Sequence, residues 1–220
     1  MFTPEMLLLM GEALLETLFM TLVSAALAYV LGLPLGVVLV VTDADGVRPH
    51  AALNRVLGTI VNALRSVPFL ILLFTVIPVT RFIAGTTVGA GATIVPLTIA
   101  AAPFVARMVE GSLKEVDRGV IEASLSMGAS VPQLVWRVLL PEALPSLING
   151  AAIATTTLLG YSAMAGICGG GGLGAIAINY GYYRGETDVM LVMVVILILV
   201  VQAFQFIGER TMRRVDKRIR

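Results

Sequence analysis

The stretch from Glu122 to Pro141, EASLSMGASVPQLVWRVLLP, is a polar and amphipathic insert between two hydrophobic segments, each long enough to cross a bilayer. Its first half, from about Arg118 to Met127, has a helical composition. Gly128 then has the backbone freedom that ends a helix and turns the chain. Ser130 and Gln133 have the spacing of a capping box. The stretch therefore predicts two short helices that meet at a glycine. Its charged residues argue against a re-entrant hydrophobic hairpin, because each would be costly in hydrocarbon.

The composition of the whole chain is that of a membrane protein. Of its 220 residues 58% are hydrophobic and 13% are charged, and the mean hydropathy is +0.95, which is far more apolar than a soluble domain. The net charge of +1 gives no reason to expect a nucleic-acid partner. A single cysteine, Cys168, excludes an internal disulfide and a multi-cysteine metal site. The acidic N-terminal segment lacks the basic start of a cleavable signal peptide.

Five membrane spans are predicted from the hydrophobic segments, because about 20 apolar residues cross a bilayer core. The predicted fold class is an all-α integral membrane protein, with residues 1–220 forming one transmembrane domain. A polar loop at about 111–141 joins its third and fourth helices. The predicted spans are Thr17 to Thr42, Val56 to Pro78, Ala92 to Glu110, Leu144 to Ile167 and Val189 to Gly208. The predicted connections are a polar connector from Asp43 to Arg55, a Gly/Thr-rich loop from Arg81 to Gly91, and a bend at Gly169 to Gly172 followed by a short external segment.

Several residues inside the predicted spans carry specific expectations. Pro34 would kink the first helix, and the Gly32/Gly36 pair has the spacing of close helix packing, which we favour over a dimerisation motif. Arg107 and Glu110 are one helical step apart and are expected to pair. Arg65 has two interpretations that the residues leave open. Its side chain either snorkels to the membrane interface or joins a polar cluster inside the bundle.

The basic residues predict the orientation of the chain in the membrane. With the N-terminus outside and the C-terminus inside, the polar loop between the third and fourth helices lies on the cytoplasmic side. Only Arg81 and Arg184 then fall in outer loops. The basic residues placed inside are Arg48, Arg55, Lys114, Arg118, Arg137, and the tail residues Arg210, Arg213, Arg214, Lys217, Arg218 and Arg220.

Catalytic chemistry is not predicted for this chain. The glycine run near Gly170 lacks the lysine and hydroxyl residues of a phosphate-binding loop, so the chain is not expected to hydrolyse ATP itself. Ser162 lies in a faintly protease-like Gly-Tyr-Ser-Ala sequence, but the only histidine, His50, is in a polar connector. Zinc ligands are also missing. We therefore expect no catalytic residue, metal site or cofactor in this chain.

The loop resembles the EAA loop of ABC-importer membrane subunits. The matching residues are Glu122-Ala123-Ser124, Gly128 and Val138-Leu139-Leu140-Pro141, and the family pattern reads Glu-Ala-Ala, a glycine four positions on, and Ile-x-Leu-Pro. Ser124 and Val138 are the departures, and both are conservative in size. The resemblance implies a cytoplasmic loop whose coupling helix enters a cleft of a separate ATP-hydrolysing subunit. The implied coupling residues are Glu122, Ala123, Ser124, Met127, Gly128 and Pro141.

The likeness extends from Glu16 to Gly208 and is to the permease subunits of methionine ABC importers. Its shorter motifs are Arg65-Ser66-Val67-Pro68, Ile94-Val95-Pro96-Leu97-Thr98, Ala101-Ala102-Pro103-Phe104 and Gly160-Tyr161-Ser162-Ala163-Met164. The first of these motifs slightly favours the polar-cluster interpretation of Arg65. The likeness implies methionine transport, with another amino-acid importer as the alternative. A passive channel or a membrane scaffold remain as other classes.

The resemblance also implies partners for the chain. Five helices with few charges can supply half of a solute path, so a twofold pair of copies would line it. Two ATPase subunits carrying ATP and magnesium would bind the two loops from the cytoplasm of a bacterial cell. An extracytoplasmic binding protein would deliver the amino acid, and the two halves would alternate between inward and outward access across the inner membrane.

The fourth helix is the candidate wall of the solute path. A site for an apolar zwitterion needs a soft wall for the side chain and a few dipoles for the charged ends. Tyr161, Ser162 and Met164 have this mixture beside Gly160. Methionine also commonly fills gaps in a packed core, so Met164 as a packing residue is the alternative.

Overall fold

The computed structural model describes residues 3–216 and is built of helices joined by short turns. The predictions for Lys217, Arg218 and Arg220 lie outside these residues. The α-helices are α1 (Pro4–Val41), α2 (Ala51–Ser66), α3 (Phe69–Thr75), α4 (Ile77–Ala84), α5 (Ala90–Lys114), α6 (Arg118–Ser126), α7 (Val131–Leu134), α8 (Leu140–Glu142), α9 (Leu144–Ala165), α10 (Gly172–Ile176) and α11 (Thr187–Val215). Two π-helical segments, Val135–Leu139 and Ala177–Tyr182, and a 3-10 turn, Gly166–Cys168, complete the helical elements. The predicted all-α fold class is confirmed.

Four helical segments in the described chain are long and apolar enough to cross a membrane, and α2 with α3 makes a fifth if that pair counts as one broken span. The predicted second span, from Val56 to Pro78, is not one continuous helix. α2 and α3 meet at an angle of 104°, and Val67 between them is extended, with ψ 124°. The cause is Pro68, because proline disfavours the helical conformation in the residue before it.

Helix boundaries differ from the predicted spans mainly at their polar ends. α1 begins at Pro4 rather than near Thr17, and the Thr3 hydroxyl caps it by accepting a hydrogen bond from the Met6 N–H at 3.3 Å. α11 likewise continues through charged residues to Val215. Charge limits the membrane-embedded length of a helix but does not end the helix itself, which is why the predicted spans were shorter.

Two predicted connections are also partly helical. α2 begins at Ala51, inside the predicted polar connector, and the His50 imidazole caps it by accepting a hydrogen bond from the Leu53 N–H at 3.2 Å. Arg81 lies in α4 rather than in a loop. The loop between α4 and α5 is therefore confined to residues 85–89.

The core is centred on the close contact between α1 and α5. A Cβ atom added to Gly32 would lie 2.8 Å from the Ala102 carbonyl oxygen, and one added to Gly36 would lie 2.6 Å from the Ala106 carbonyl oxygen. Both glycines are buried, and α1 continues through Pro34 between them. The Gly32/Gly36 pair thus joins two helices of the same chain, as its close-packing interpretation predicted.

The predicted glycine bend after α9 is present, but the predicted external segment is helical. Gly169, Gly171 and Gly172 have positive φ angles. The Gly172 N–H donates to the Glu16 carboxylate at 2.8 Å, and the Leu173 N–H donates to the Thr17 hydroxyl at 2.9 Å. These bonds fasten α10 to α1, so the chain folds back onto the bundle before α11 begins.

Candidate coupling surface and translocation path

The stretch from Arg118 to Pro141, called the docking stretch below, forms the two short helices that its sequence predicts. The Asp117 carboxylate caps α6 by accepting from the Gly119 N–H at 2.8 Å. Gly128 follows α6 with φ +82° and reverses the chain. The Ser130 N–H then donates to Gln133 Oε1 at 2.9 Å, which is one half of the predicted capping box. The second helix begins at α7 and continues through its π-helical segment into α8.

The docking stretch is anchored by buried leucines and leaves large apolar side chains uncovered. Leu134 and Leu139 belong to the hydrophobic core, whereas Met127 is 81% exposed and Trp136 is 70% exposed. Exposed apolar side chains on a polar loop are typical of protein interfaces, and tryptophan is a frequent anchor of such interfaces. We call α6, Met127, Gly128, α7 and Trp136 the candidate coupling surface, or the coupling surface for short.

The predicted coupling residues do not all lie on that surface. Glu122, Ala123, Gly128 and Pro141 are exposed. Ser124 is buried, and its hydroxyl donates to the Val120 carbonyl oxygen at 2.8 Å. Ser124 therefore packs α6 against the rest of the chain.

A cavity of about 380 Å³ separates α6 from the turn after α1. Its charged lining residues are Asp43, Asp45, Lys114, Arg118 and Glu122. Arg118 and Asp45 approach to 3.5 Å across it, but both side chains are largely exposed, so this ion pair contributes little to stability.

An ion-pair network at the cavity ties the turn after α1 to α5. The buried carboxylate of Glu110 pairs with Arg107 at 2.5 Å and with Lys114 at 2.9 Å, and Lys114 also pairs with Asp43 at 2.6 Å. The hydrogen bond from Lys114 and a second one from the Ala44 N–H lower the pKa of the Asp43 carboxyl. The Arg107–Glu110 pair was predicted. The four-residue spacing of Glu110 and Lys114 could also have been noticed, but nothing local pointed to Asp43.

Arg107 extends the network to α2. Its Nε donates to the Asn62 side-chain oxygen at 3.1 Å, and its Nη2 donates to the Gly58 carbonyl oxygen at 3.1 Å. Arg65 lies apart from this network. Its exposed guanidinium lies 5.9 Å from the ring centre of Phe104, and a role for Arg65 in a polar cluster stays a prediction for an assembly of chains.

The three predicted path residues of α9 have different surroundings. Tyr161 stacks on Phe69 of α3, with ring centres 4.7 Å apart and an interplanar angle of 1°. Ser162 is fully buried, and its hydroxyl donates to the Leu159 carbonyl oxygen at 2.8 Å. Met164 is 45% exposed on the same open face as Gly160. Of the three, Met164 is the side chain left uncovered by the rest of the chain.

Among residues 3–216, no group of three or more potential ligand side chains is placed to hold a metal ion. The arrangement consists of apolar spans, an exposed apolar patch on the loop between two of them, and an ion-pair network between α5 and the turn after α1. Such an arrangement suits mechanical coupling across a membrane.

Comparison with known proteins gives the class of this chain. The sequence model of the binding-protein-dependent transport system inner membrane component family matches residues 28–220. The chain therefore belongs to this family of transport-system membrane components. Its place is the inner membrane, and its role is that of a transport component rather than of an enzyme.

More particular relatives agree with this class. The probable D-methionine transport system permease protein MetI of Vibrio cholerae is 52% identical over 203 residues, 92% of this chain and 90% of that protein. The D-methionine transport system permease protein MetI of Escherichia coli K12 is 52% identical over 164 residues, 74% and 76% of the two chains. The resemblance predicted from the loop and the shorter motifs is confirmed.

Solved structures confirm the fold. A structure of the MetNI methionine ABC transporter in inward-facing conformations has a TM-score of 0.97 and 49% identity, covering 98% of this chain and 100% of that one. A crystal structure of an amino acid ABC transporter with histidines has a TM-score of 0.76 at 20% identity, covering 94% of each chain. The second likeness shows the shared fold alone.

Proposed function

We propose that this chain is the membrane-spanning permease subunit of an ATP-driven methionine importer. The observation that carries the proposal is the coupling surface, with Met127 and Trp136 uncovered between two membrane spans. The substrate class is supported by the relatives, since proteins 52% identical to this chain are named as D-methionine permeases.

The proposed assembly has two copies of this chain and two ATPase subunits that hold ATP and magnesium. Each coupling surface binds one ATPase subunit, and an extracytoplasmic binding protein delivers methionine to the opposite side. Movement of α6 is transmitted through residues near Lys114, which pairs with Asp43 after α1 and with Glu110 in α5. ATP binding then shifts the population between inward and outward access through different contacts in the two states.

Co-purification tests this proposal directly. The chain is expected to co-purify with an ATPase subunit whose hydrolysis in lipid is stimulated by the binding protein loaded with methionine. Trp136→Ala should weaken ATPase binding by about 2 kcal/mol, or roughly 30-fold, as expected for a buried interface anchor. Phe82→Ala is the matched control, because Phe82 is an aromatic residue of α4 that is 90% exposed away from the loop. The absence of an ATPase from the purified wild-type complex would overturn the proposal.

The orientation is part of the proposal and has its own test. In a Cys168→Ser background, Thr87→Cys should react with an impermeant thiol reagent added outside, and Ser126→Cys should react only with reagent added inside. Both positions are exposed, Thr87 between α4 and α5 and Ser126 at the end of α6. The opposite labelling pattern would reverse the topology and remove the coupling role.

Met164 is expected to narrow the solute path where the two copies meet. Its thioether is a soft, uncharged wall for an apolar side chain, and it is exposed in the single chain. Met164→Cys should therefore crosslink between copies strongly without nucleotide, and the yield should change with ATP and a trapped transition-state mimic. No crosslink in any state, together with normal transport by Met164→Ala, would return Met164 to a packing role.

A further inference from the structure

Helix α2 has three faces, of which two are uncovered in the described chain. At about 3.6 residues per turn, Gly58 and Val61 lie on the face that is buried against the rest of the chain. The exposed polar face consists of Arg55, Thr59, Asn62 and Ser66. The exposed apolar face consists of Leu53, Val56, Ile60 and Leu64.

The contacts of α2 show that it runs along the length of the helix bundle, rather than across one end of it. Asn54 donates to the Leu39 carbonyl oxygen at 2.7 Å, close to the end of α1. About two turns further on, Asn62 accepts from Arg107 at 3.1 Å. Arg107 itself lies about two turns before Lys114, the last residue of α5. The polar face of α2 therefore reaches the depth at which α5 crosses the membrane.

Contact with lipid hydrocarbon would be unfavourable for the polar face of α2. Charged and amide side chains within a membrane span normally face the bundle interior or a water-filled cavity, because hydrocarbon cannot hydrogen-bond them. Arg55 makes no ion pair within residues 3–216. α11 has the opposite character, since its large exposed side chains, such as Leu191, Ile198 and Leu199, are apolar.

We propose that the polar face of α2 lines a water-filled part of the translocation path, between the Lys114 end of the bundle and the bend at Pro68. This inference rests on the proposed function and gives the path a second wall besides Met164 of α9. Hydroxyl and amide dipoles such as those of Thr59 and Asn62 can contact the charged ends of a zwitterionic amino acid and still release it. The apolar face of α2 is turned away from that water.

Two adjacent positions give a matched test. Thr59 and Ile60 lie at nearly the same depth but on different faces of α2. In the assembled transporter in inside-out vesicles, with Cys168→Ser as background, Thr59→Cys should react with an impermeant cationic thiol reagent at least about tenfold faster than Ile60→Cys, because the reactive thiolate forms in water. Modification should block transport by Thr59→Cys and leave Ile60→Cys transport unchanged.

Equal reaction rates, or no reaction of Thr59→Cys, would overturn the inference. A shielded Thr59→Cys that crosslinks to the second copy would show that the partner chain covers the polar face, which also overturns it. Ser66→Cys and Leu64→Cys form a second pair if Thr59→Cys does not assemble. The labelling rates do not depend on the substrate. Faster labelling of Thr59→Cys in a protein that does not transport methionine would therefore contradict the proposed function but support a water-lined face of α2.

Discussion

Gly128→Leu is expected to abolish transport while the protein still folds and inserts. Gly128 has φ +82°, where a residue with a Cβ costs about 1 kcal/mol or more. A larger side chain does not block the turn itself, because no non-neighbouring atom of the described chain lies within 4 Å of an added Cβ. A leucine would instead project from the coupling surface beside Met127. Transport per inserted complex in proteoliposomes measures the effect, which we expect to be nearly complete.

Gly85→Leu is the matched control. Gly85 also has a positive φ angle, +72°, and open space around an added Cβ, but it ends α4 far from the coupling surface in sequence. It should lose a similar amount of stability and keep its transport rate. Wild-type transport by Gly128→Leu would show that the coupling assignment is wrong. If the variant gave less folded protein but each folded molecule transported normally, the role of Gly128 would be only to end α6.

Gly36→Leu is expected to lower the stability of the fold strongly. A Cβ at Gly36 would lie 2.6 Å from the Ala106 carbonyl oxygen and 2.7 Å from Val109 Cβ. Overpacking by a side chain typically costs about 1–3 kcal/mol, and here the cost is at the upper end or above, because a backbone oxygen cannot rotate away. A loss of about 3 kcal/mol is roughly a fifth to three fifths of a typical stability of about 5–15 kcal/mol. Melting temperature and yield in detergent measure this effect.

Gly111→Leu in α5 is the control for that substitution. It is also a helical glycine, but no atom lies within 4 Å of an added Cβ. Its melting temperature should stay near the wild-type value. Equal melting temperatures for the Gly36 and Gly111 variants would contradict the assignment of the α1–α5 contact as the centre of the core.

Local chemistry explains which parts of the fold were predictable. The two-helix docking stretch depends on residues within a few positions of each other, such as Gly128 and the Ser130–Gln133 pair, so its pattern is readable in sequence. The 104° turn before α3 also has a local cause in Pro68. It was missed because hydropathy measures how apolar a segment is and not its direction.

Contacts between distant residues could not be predicted from the sequence. Asp43 and Lys114 are paired across two helices, and no spacing rule connects them. Ser162 and Met164 are two residues apart in α9, yet one is fully buried and the other is exposed. Their exposure depends on which helices pack against α9. The composition of α9 does not contain that information, so both residues were predicted to line the path.

The glycine contact between α1 and α5 has a mechanical consequence. The small residues at Gly32 and Gly36 leave little space between the two helices, so we expect α1 and α5 to tilt together. α1 has 38 residues and is about 57 Å long at 1.5 Å per residue. A tilt of about 5° at the Lys114 end would displace the far end of this rod by about 5 Å. If the coupling surface moves as proposed, a small displacement there would become a larger displacement at the far end of α1.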